Sequence, residues 1–293
     1  MFTLPVTRGR LAFALSVPAL TLLLAFVVAP LIWIVRVSFY EPIAGAYMRP
    51  AWVLDNYVQF LGSVWHLQNV LIFTIEVAVL TTILTALLAY PLAMYMARVE
   101  GWAKRVLMTV MLAPLLIGLV SLSYGWIVIF RGGGVLNATA QALGLIDAPI
   151  QYMYNMRGVI ILLVYIGVPY MTLTLLDAIE RINPSLVEAA KICRASPWVA
   201  FVKITLPLST PGLYAGCCVV FALNFSAFAV PLMVGAPNTP MIGLMAYRQA
   251  MEINNFPFAG SIAIIMTVAS AVILIGFSGV MNKLFFTRIG KAV

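Results

Sequence analysis

Glu76 has the strongest chemical claim in this sequence, because the run around it, residues 69–97, is otherwise almost wholly apolar. An ionised carboxylate in such a run costs at least ~2.5–3.5 kcal/mol to place in lipid, so an acid kept there is a candidate for a solute or ion pathway. It also stands about seven residues from the outer end of the run, within reach of the interface or of an outer cation. Both readings stay open. Other reactive groups are few. His66 is the single histidine, which argues against a histidine-based metal site. Cys193, Cys217 and Cys218 have no CxxC spacing and read as buried, inert thiols. No phosphate-binding loop occurs, since Gly290–Lys291 lacks the upstream glycine and the following hydroxyl residue. A membrane enzyme would need a His/Cys/acid constellation that this sequence does not offer. We therefore expect no catalytic residues, no metal and no cofactor bound by this chain.

The elements that must position these residues are membrane helices. Only 26 of the 293 residues are charged, 63% are hydrophobic and the mean hydropathy is +1.06. A soluble domain carries roughly 25% charge. Lipid is the solvent that fits. Six apolar runs follow, at about 11–36, 69–97, 106–130, 157–179, 213–235 and 259–285, each near the ~20 residues a helical span needs. A β-barrel would show shorter, alternating segments instead. The first run is too long for a signal-peptide core and reads as an uncleaved span. The expectation is an all-α integral membrane protein with about six transmembrane helices, folded as one membrane domain over 1–293. The net charge of +8 comes from cations scattered at span ends, which points to membrane orientation and not to nucleic acid.

Those cations set the orientation. With the N-terminus inside, twelve fall on the inner side: Arg8, Arg10, Arg98, Lys104, Arg105, Arg181, Lys191, Arg194, Lys203, Lys283, Arg288 and Lys291. Five remain outside: Arg36, Arg49, Arg131, Arg157 and Arg248. Cytoplasmic loops carry the excess, so both termini are expected inside. Trp33, Trp65, Trp102 and Trp126 near the run ends fit an interfacial belt. The outer loops are about 37–68, 131–156 and 236–258, and the second combines a glycine hinge with a short helical pattern.

The inner loop at about 180–212 is unusual. Asn183–Pro184 is a helix start, and Leu186, Ala189, Ala190 and Cys193 make an apolar stripe among charges. Ser196–Pro197 starts a second helix whose apolar face is Trp198, Phe201 and Val202, with Pro207 expected to end it. Two short amphipathic helices without a core of their own need something to pack on: lipid headgroups or a protein partner.

This loop resembles the EAA loop of permease subunits of ABC importers. Glu188, Ala189 and Ala190 are followed at the family's spacing by Ile204, Leu206 and Pro207, while Arg194 stands where the family has glycine. The resemblance implies a coupling helix that docks in a groove of a separate ATPase subunit. Glu188 would face that subunit's cations, Ala189 and Ala190 would allow close approach, and the movement of the ATPases would pass to the membrane helices. Arg194 implies a bend made without a residue free to take positive φ, and Ile192 replaces a common family acid. The implied partners are two ATPase subunits, which hold ATP and Mg, a second permease that is a different chain, a solute-binding protein outside, and membrane lipid.

The resemblance extends over nearly the whole chain. The "AYPLAMYMAR" end of the second run and "FALNFSAFAVPLMVGAPNTPMI" look like the spermidine/putrescine branch of type I importer permeases, whose relatives carry other solutes. The branch's usual Asp–Phe before the proline reads Ala227–Phe228 here, with Pro231 retained. What this implies is a multi-pass permease of the bacterial inner membrane, moving a small polar organic solute of polyamine-like type by alternating access. Tyr165, Tyr170, Asn224, Ser226 and Phe228 join Glu76 as candidate pathway residues, with helix-packing hydrogen bonds as the alternative reading of the polar ones. Asp177 and Glu180 are placed with the coupling region, and Gly212-x-x-x-Gly216 reads as a close helix crossing. The competing function is an ion-gradient-driven secondary transporter using Glu76. One acid and no visible pair of broken helices give it little support.

Overall fold

The computed structural model describes residues 8–43, 46–235, 239–281 and 283. Arg288 and Lys291, positions 236–238 of the third outer loop, and 282 and 284–285 of the last run lie outside the described residues, as do the side chains of Arg8 and Arg10. Six ranges are long and apolar enough to cross a membrane: Ser16–Ser38, His66–Met96, Leu119–Ala142, Met156–Glu180, Pro197–Phe225 and Phe256–Met281. The chain is divided into two compact units, one of residues up to Ser63 with Ala246–Ile265, the other of Val64–Met245 and the residues from Met266 onward.

In the first unit, α1 (Arg8–Ser38) exposes every described side chain from Ser16 to Val35. Only at its end are described side chains buried, at Val37 and Ser38, so the exposed apolar stretch before them is built for lipid or for another subunit. After it comes a short antiparallel hairpin, β1 (Glu41–Ile43) and β2 (Ala46–Arg49), an addition to the all-α expectation. A short helix, α2 (Asp55–Leu61), completes the outer segment. Asn56, 1% exposed, ties it together by donating its amide to the carbonyls of Ser38 and Tyr40, each at 2.9 Å. The Arg36 guanidinium lies over the rings of Tyr40 and Trp52, 4.4 and 4.0 Å from their centroids, and donates to the Ala51 carbonyl at 2.6 Å. A cation this close to a span end is thus satisfied by aromatic faces and backbone.

The second unit begins with a π-helical stretch, His66–Ile72, that runs into α3 (Phe73–Met96). Next come α4 (Gly101–Leu116), α5 (Leu119–Phe130), the small outer-loop helix α6 (Val135–Ala142) and α7 (Met156–Glu180). The loop 180–212 supplies α8 (Pro184–Ile192), α9 (Pro197–Ala200), a second π-helical stretch (Phe201–Thr205) and the start of α10 (Leu206–Phe225). Then follow α11 (Ala229–Val234), α12 (Ile242–Met251) and α13 (Phe256–Met281), the last two shared between the units along the chain.

The core of this unit is the bundle of α3, α7 and α10. Glycines set its spacing. A Cβ on Gly212 would stand 2.3 Å from that of Ala178, and one on Gly216 would stand 2.6 Å from Thr174 Oγ1. The crossing of α10 over α7 therefore depends on hydrogen at Gly212, where the Thr174 backbone is a neighbour, and is close at Gly216, as the spacing suggested. Gly167 on α7 is less tightly enclosed, a Cβ there standing 3.0 Å from side-chain atoms of Thr85 and Val220.

Two runs depart from expectation. The third, read as one span over 106–130, is two helices separated at Ile117 and Gly118, both extended (ψ 132° and 138°). Pro114 removes one helical N–H just upstream, and Gly118 begins α5 afresh by accepting from Leu122 N. The fifth, read as 213–235, begins at Pro197 and stops at Phe225. Pro207 does not end the second loop helix. It sits in the first turn of α10, and the π-helical stretch before it shifts the register so that the helix runs on through it. The chain then breaks at Ser226–Phe228 and resumes as α11. Two interrupted helices thus exist where the sequence showed none.

Candidate functional site

The 180–212 loop is built by local rules. Asn183 Oδ1 accepts from Ser185 N at 3.0 Å and Pro184 opens α8, so this N-terminus is capped by side chain and proline together. At its other end Arg194 N donates to the Lys191 carbonyl at 2.9 Å and Ala195 N to that of Ala190 at 3.0 Å. These two bonds form a complete Schellman stop, with Arg194 in the left-handed conformation at φ +56°. The expectation of a bend without positive φ is corrected here. Arginine occupies the geometry that glycine would take, at a cost of about 1–2 kcal/mol for its Cβ. Ser196 Oγ then caps α9 by accepting from Val199 N at 3.3 Å.

Among the described residues, nothing covers the surface this produces. Glu188, Ala189 and Arg194 are exposed, as are Leu186, Ile192 (83%) and Trp198 (70%). Cys193 is exposed too, which corrects the expectation of a buried thiol; Cys217 and Cys218 are half-buried. An apolar stripe that ends in solvent on a short helix calls for a covering partner. The other candidates in the loop face inward: Ala190, Ile204, Leu206 and Pro207 are half-buried, and Leu206 packs with α3 and α7 residues around Met171. The loop therefore has a docking face and a root. Beside the root, Lys104 at the start of α4 is paired with Glu180 at the end of α7 at 2.5 Å, and Asp177 pairs with Arg181 one turn along α7.

The six candidate pathway residues are not gathered at one place. Glu76 is exposed on the outward face of α3, in line with Val79, Ile83 and Leu87. Those three line an apolar groove of about 1070 Å³ bounded also by Phe221 on α10 and Phe277 on α13, with Arg98 and Trp198 at one end. Asn224 is buried and donates to Thr81 Oγ1 at 2.8 Å, a bond between α10 and α3. Ser226 and Phe228 are exposed at the break after α10. The break is held by α12, where Gly243 lets the carbonyls of Ser226 and Ala227 lie 2.7 and 2.8 Å from where a Cβ would be. Thr74 on α3 accepts from Ile242 N at 2.9 Å at the same place. Tyr165 is half-buried against Trp126, itself half-buried, with ring centroids 4.8 Å apart. Tyr170 is half-buried and packs in the α3–α7–α10 core near Met171. Among the described residues no group of His, Cys, Asp and Glu could hold a metal.

Two residues that the sequence did not single out join the loop to the bundle. Tyr90 of α3 is buried, its hydroxyl 2.5 Å from Ser209 Oγ on α10. They are 119 residues apart, and no local pattern signals such a pair.

Comparison with known proteins gives consistent results. Residues 89–289 match the family described as binding-protein-dependent transport system inner membrane component. The chain is 30% identical over 264 residues to the spermidine/putrescine transport system permease protein PotB of Escherichia coli (strain K12), covering 89% of this chain and 95% of that protein. It is 28% identical over 184 residues to the molybdenum transport system permease protein ModB of Azotobacter vinelandii, covering 61% and 80%. A chain of a bacterial alginate ABC transporter, solved in complex with an alginate-bound periplasmic protein, shares the fold with a TM-score of 0.73 at 20% identity, over 96% of each chain.

Proposed function

Because this chain belongs to the family of binding-protein-dependent transport system inner membrane components, we propose that its 180–212 loop is the element through which partner ATPases drive solute import. The chain is a multi-pass inner-membrane permease and a transport component, not an enzyme. The observation that carries the docking role is the exposed face of α8 and α9: Glu188 and Ala189 beside Ile192 and Trp198, left uncovered by the other described residues. Glu188 offers charge to a cationic socket, Ala189 lets backbones approach, and the apolar groups fill the contact. Ala190, Ile204, Leu206 and Pro207 root that face in the bundle.

The remaining parts of the assembly follow in the same reading. Two ATPase subunits bind ATP and Mg on the cytoplasmic side, where the 180–212 loop and both termini lie. A second, different permease completes the solute path, and a solute-binding protein delivers cargo outside. The solute is small, polar and organic, of the polyamine-like class, a reading supported by the similarity to PotB. Glu76, Ser226 and Phe228 face the solute, while Asn224, Tyr165 and Tyr170 hold the helices that present them.

The test is reconstitution. The chain is purified gently from its native membrane with the proteins that accompany it, and spermidine uptake into vesicles is followed with ATP inside. We expect co-purification of a nucleotide-binding subunit and uptake that needs ATP. Recovery of the chain alone, with uptake that follows a proton or sodium gradient without ATP, would overturn the reading in favour of a secondary transporter.

A further inference from the structure

We infer that Tyr90 is a positioning residue that carries motion of the 180–212 loop into α3, through one hydrogen bond to Ser209 and one ring contact with Phe201. The inference rests on the reading of that loop as the ATPase-docking element. The contacts form a continuous series from the exposed face inward. Trp198 lies against Phe201 with ring centroids 5.4 Å apart, and Phe201 meets Tyr90 edge-on at 5.4 Å and 85°. The Tyr90 hydroxyl then meets Ser209 Oγ at 2.5 Å. Ser209 has its own acceptor, the Leu206 carbonyl at 3.2 Å, so its proton goes there and Tyr90 is the donor to serine.

The location gives this bond its use. Ser209 lies between Pro207 and Pro211, neither of which has an N–H to give to the helix, and just after the π-helical stretch 201–205. A helix missing rungs of its ladder bends most easily there. Left alone, the loop would flex against α10 and dissipate its movement. A bond from α3 at the weak point makes the two helices move with the loop as a unit. Among the described residues Tyr90 is the one α3 side chain hydrogen-bonded to the 180–212 loop. Both hydroxyls are buried, so losing Ser209 leaves the Tyr90 hydroxyl unpaired in apolar surroundings, while losing the Tyr90 hydroxyl leaves Ser209 tied only to the Leu206 carbonyl of its own helix. Glu76 lies 14 positions along the same helix, about 21 Å away at the α-helical rise, so motion of α3 reaches the proposed solute face.

The experiment reads α3 directly in the assembled transporter. In a cysteine-free background (C193S, C217A, C218A), Val79→Cys places a thiol on the exposed face of α3, and its alkylation rate is measured without nucleotide and with ATP trapped by vanadate. We expect a nucleotide-dependent change in the parent, its loss in Glu188→Ala, and a response reduced about fivefold in Tyr90→Phe, the scale of one lost net hydrogen bond. Ser209→Ala should match Tyr90→Phe, approaching the same bond from the other side, and Ser209→Thr should restore the response. A full response in Tyr90→Phe and Ser209→Ala, with Glu188→Ala silent, would overturn the role of Tyr90 alone. A full response in Glu188→Ala would overturn the docking reading and this inference with it.

Discussion

Asn224 on α10 donates its side-chain amide to the hydroxyl of Thr81 on α3 across 2.8 Å, and Thr81 gives its own proton to the Val77 carbonyl at 2.7 Å. Both side chains are buried, 1% and 0% exposed. The bond therefore acts as a strut between two helices of the bundle. Interhelical hydrogen bonds in membranes average only ~0.6 kcal/mol because the unfolded state in lipid also finds partners. We predict that Asn224→Leu and Thr81→Val each lower thermal stability slightly, that the double variant is no worse than the sum less about 0.6 kcal/mol, and that neither changes the solute concentration for half-maximal uptake. A change in that concentration for Asn224→Leu alone would place Asn224 on the solute path.

Arg194→Gly should stabilise the loop. Its φ of +56° is a glycine conformation, and removing the Cβ relieves about 1 kcal/mol or more of strain. Arg194→Val, β-branched, should destabilise it. Hydrogen exchange of the Lys191–Ala195 turn in the detergent-solubilised protein measures both, with protection rising for glycine and falling for valine.

The crossing at Gly212 is the most demanding point of the bundle. Adding a methyl group at 2.3 Å from the Ala178 Cβ and 2.8 Å from the Thr174 carbonyl must part the helices. We expect Gly212→Ala to destabilise by about 1–3 kcal/mol, the usual cost of overpacking. Gly212→Ala with Ala178→Gly should recover part of that loss in the same unfolding assay. No recovery would mean that the Thr174 backbone sets the limit.

Glu188→Ala, or Ala189→Phe, should uncouple the transporter while leaving insertion intact. Both side chains are exposed and touch nothing that holds the bundle together, so the chain should express and assemble in the membrane at the parental level. Uptake should fall at least about tenfold, as for loss of a charged contact at a docking face, while ATP hydrolysis persists. Parental uptake in both variants would remove this face from the docking site.

The long apolar runs were legible because lipid leaves few alternatives for them. The second and fourth, read as 69–97 and 157–179, fold as helices ending within a residue of those limits at most ends, although the second begins three residues earlier in its π-helical stretch. The caps at Asn183 and Ser196 were legible because capping is local. The interruptions were not. Pro207 reads as a stop in sequence, yet a register shift over 201–205 lets the helix continue through it. Conversely, Pro114 and Gly118 mark a break inside a hydrophobic run that reads as one span by apolarity alone. Arg194 hid the one place where the family glycine would have announced a left-handed turn. Tyr90 and Ser209 look like ordinary residues of two separate spans, and their partnership exists only after α3 and α10 pack.

The continuity of helix from Pro197 to Phe225 has a mechanical consequence. It is a rod of 29 residues, about 43 Å long at the α-helical rise, and its glycine crossing against α7, at Gly212, falls near its middle. With its proline-weakened stretch braced by the Tyr90–Ser209 bond, a rod held at the centre is a seesaw. Tilting it by about 10° moves each tip by about 4 Å in opposite directions, given arms of about 20 Å at that rise. A push on Trp198 in one direction would then swing the carbonyls after Phe225 in the other, with the pivot fixed by two glycines and no sliding of the helix along its axis.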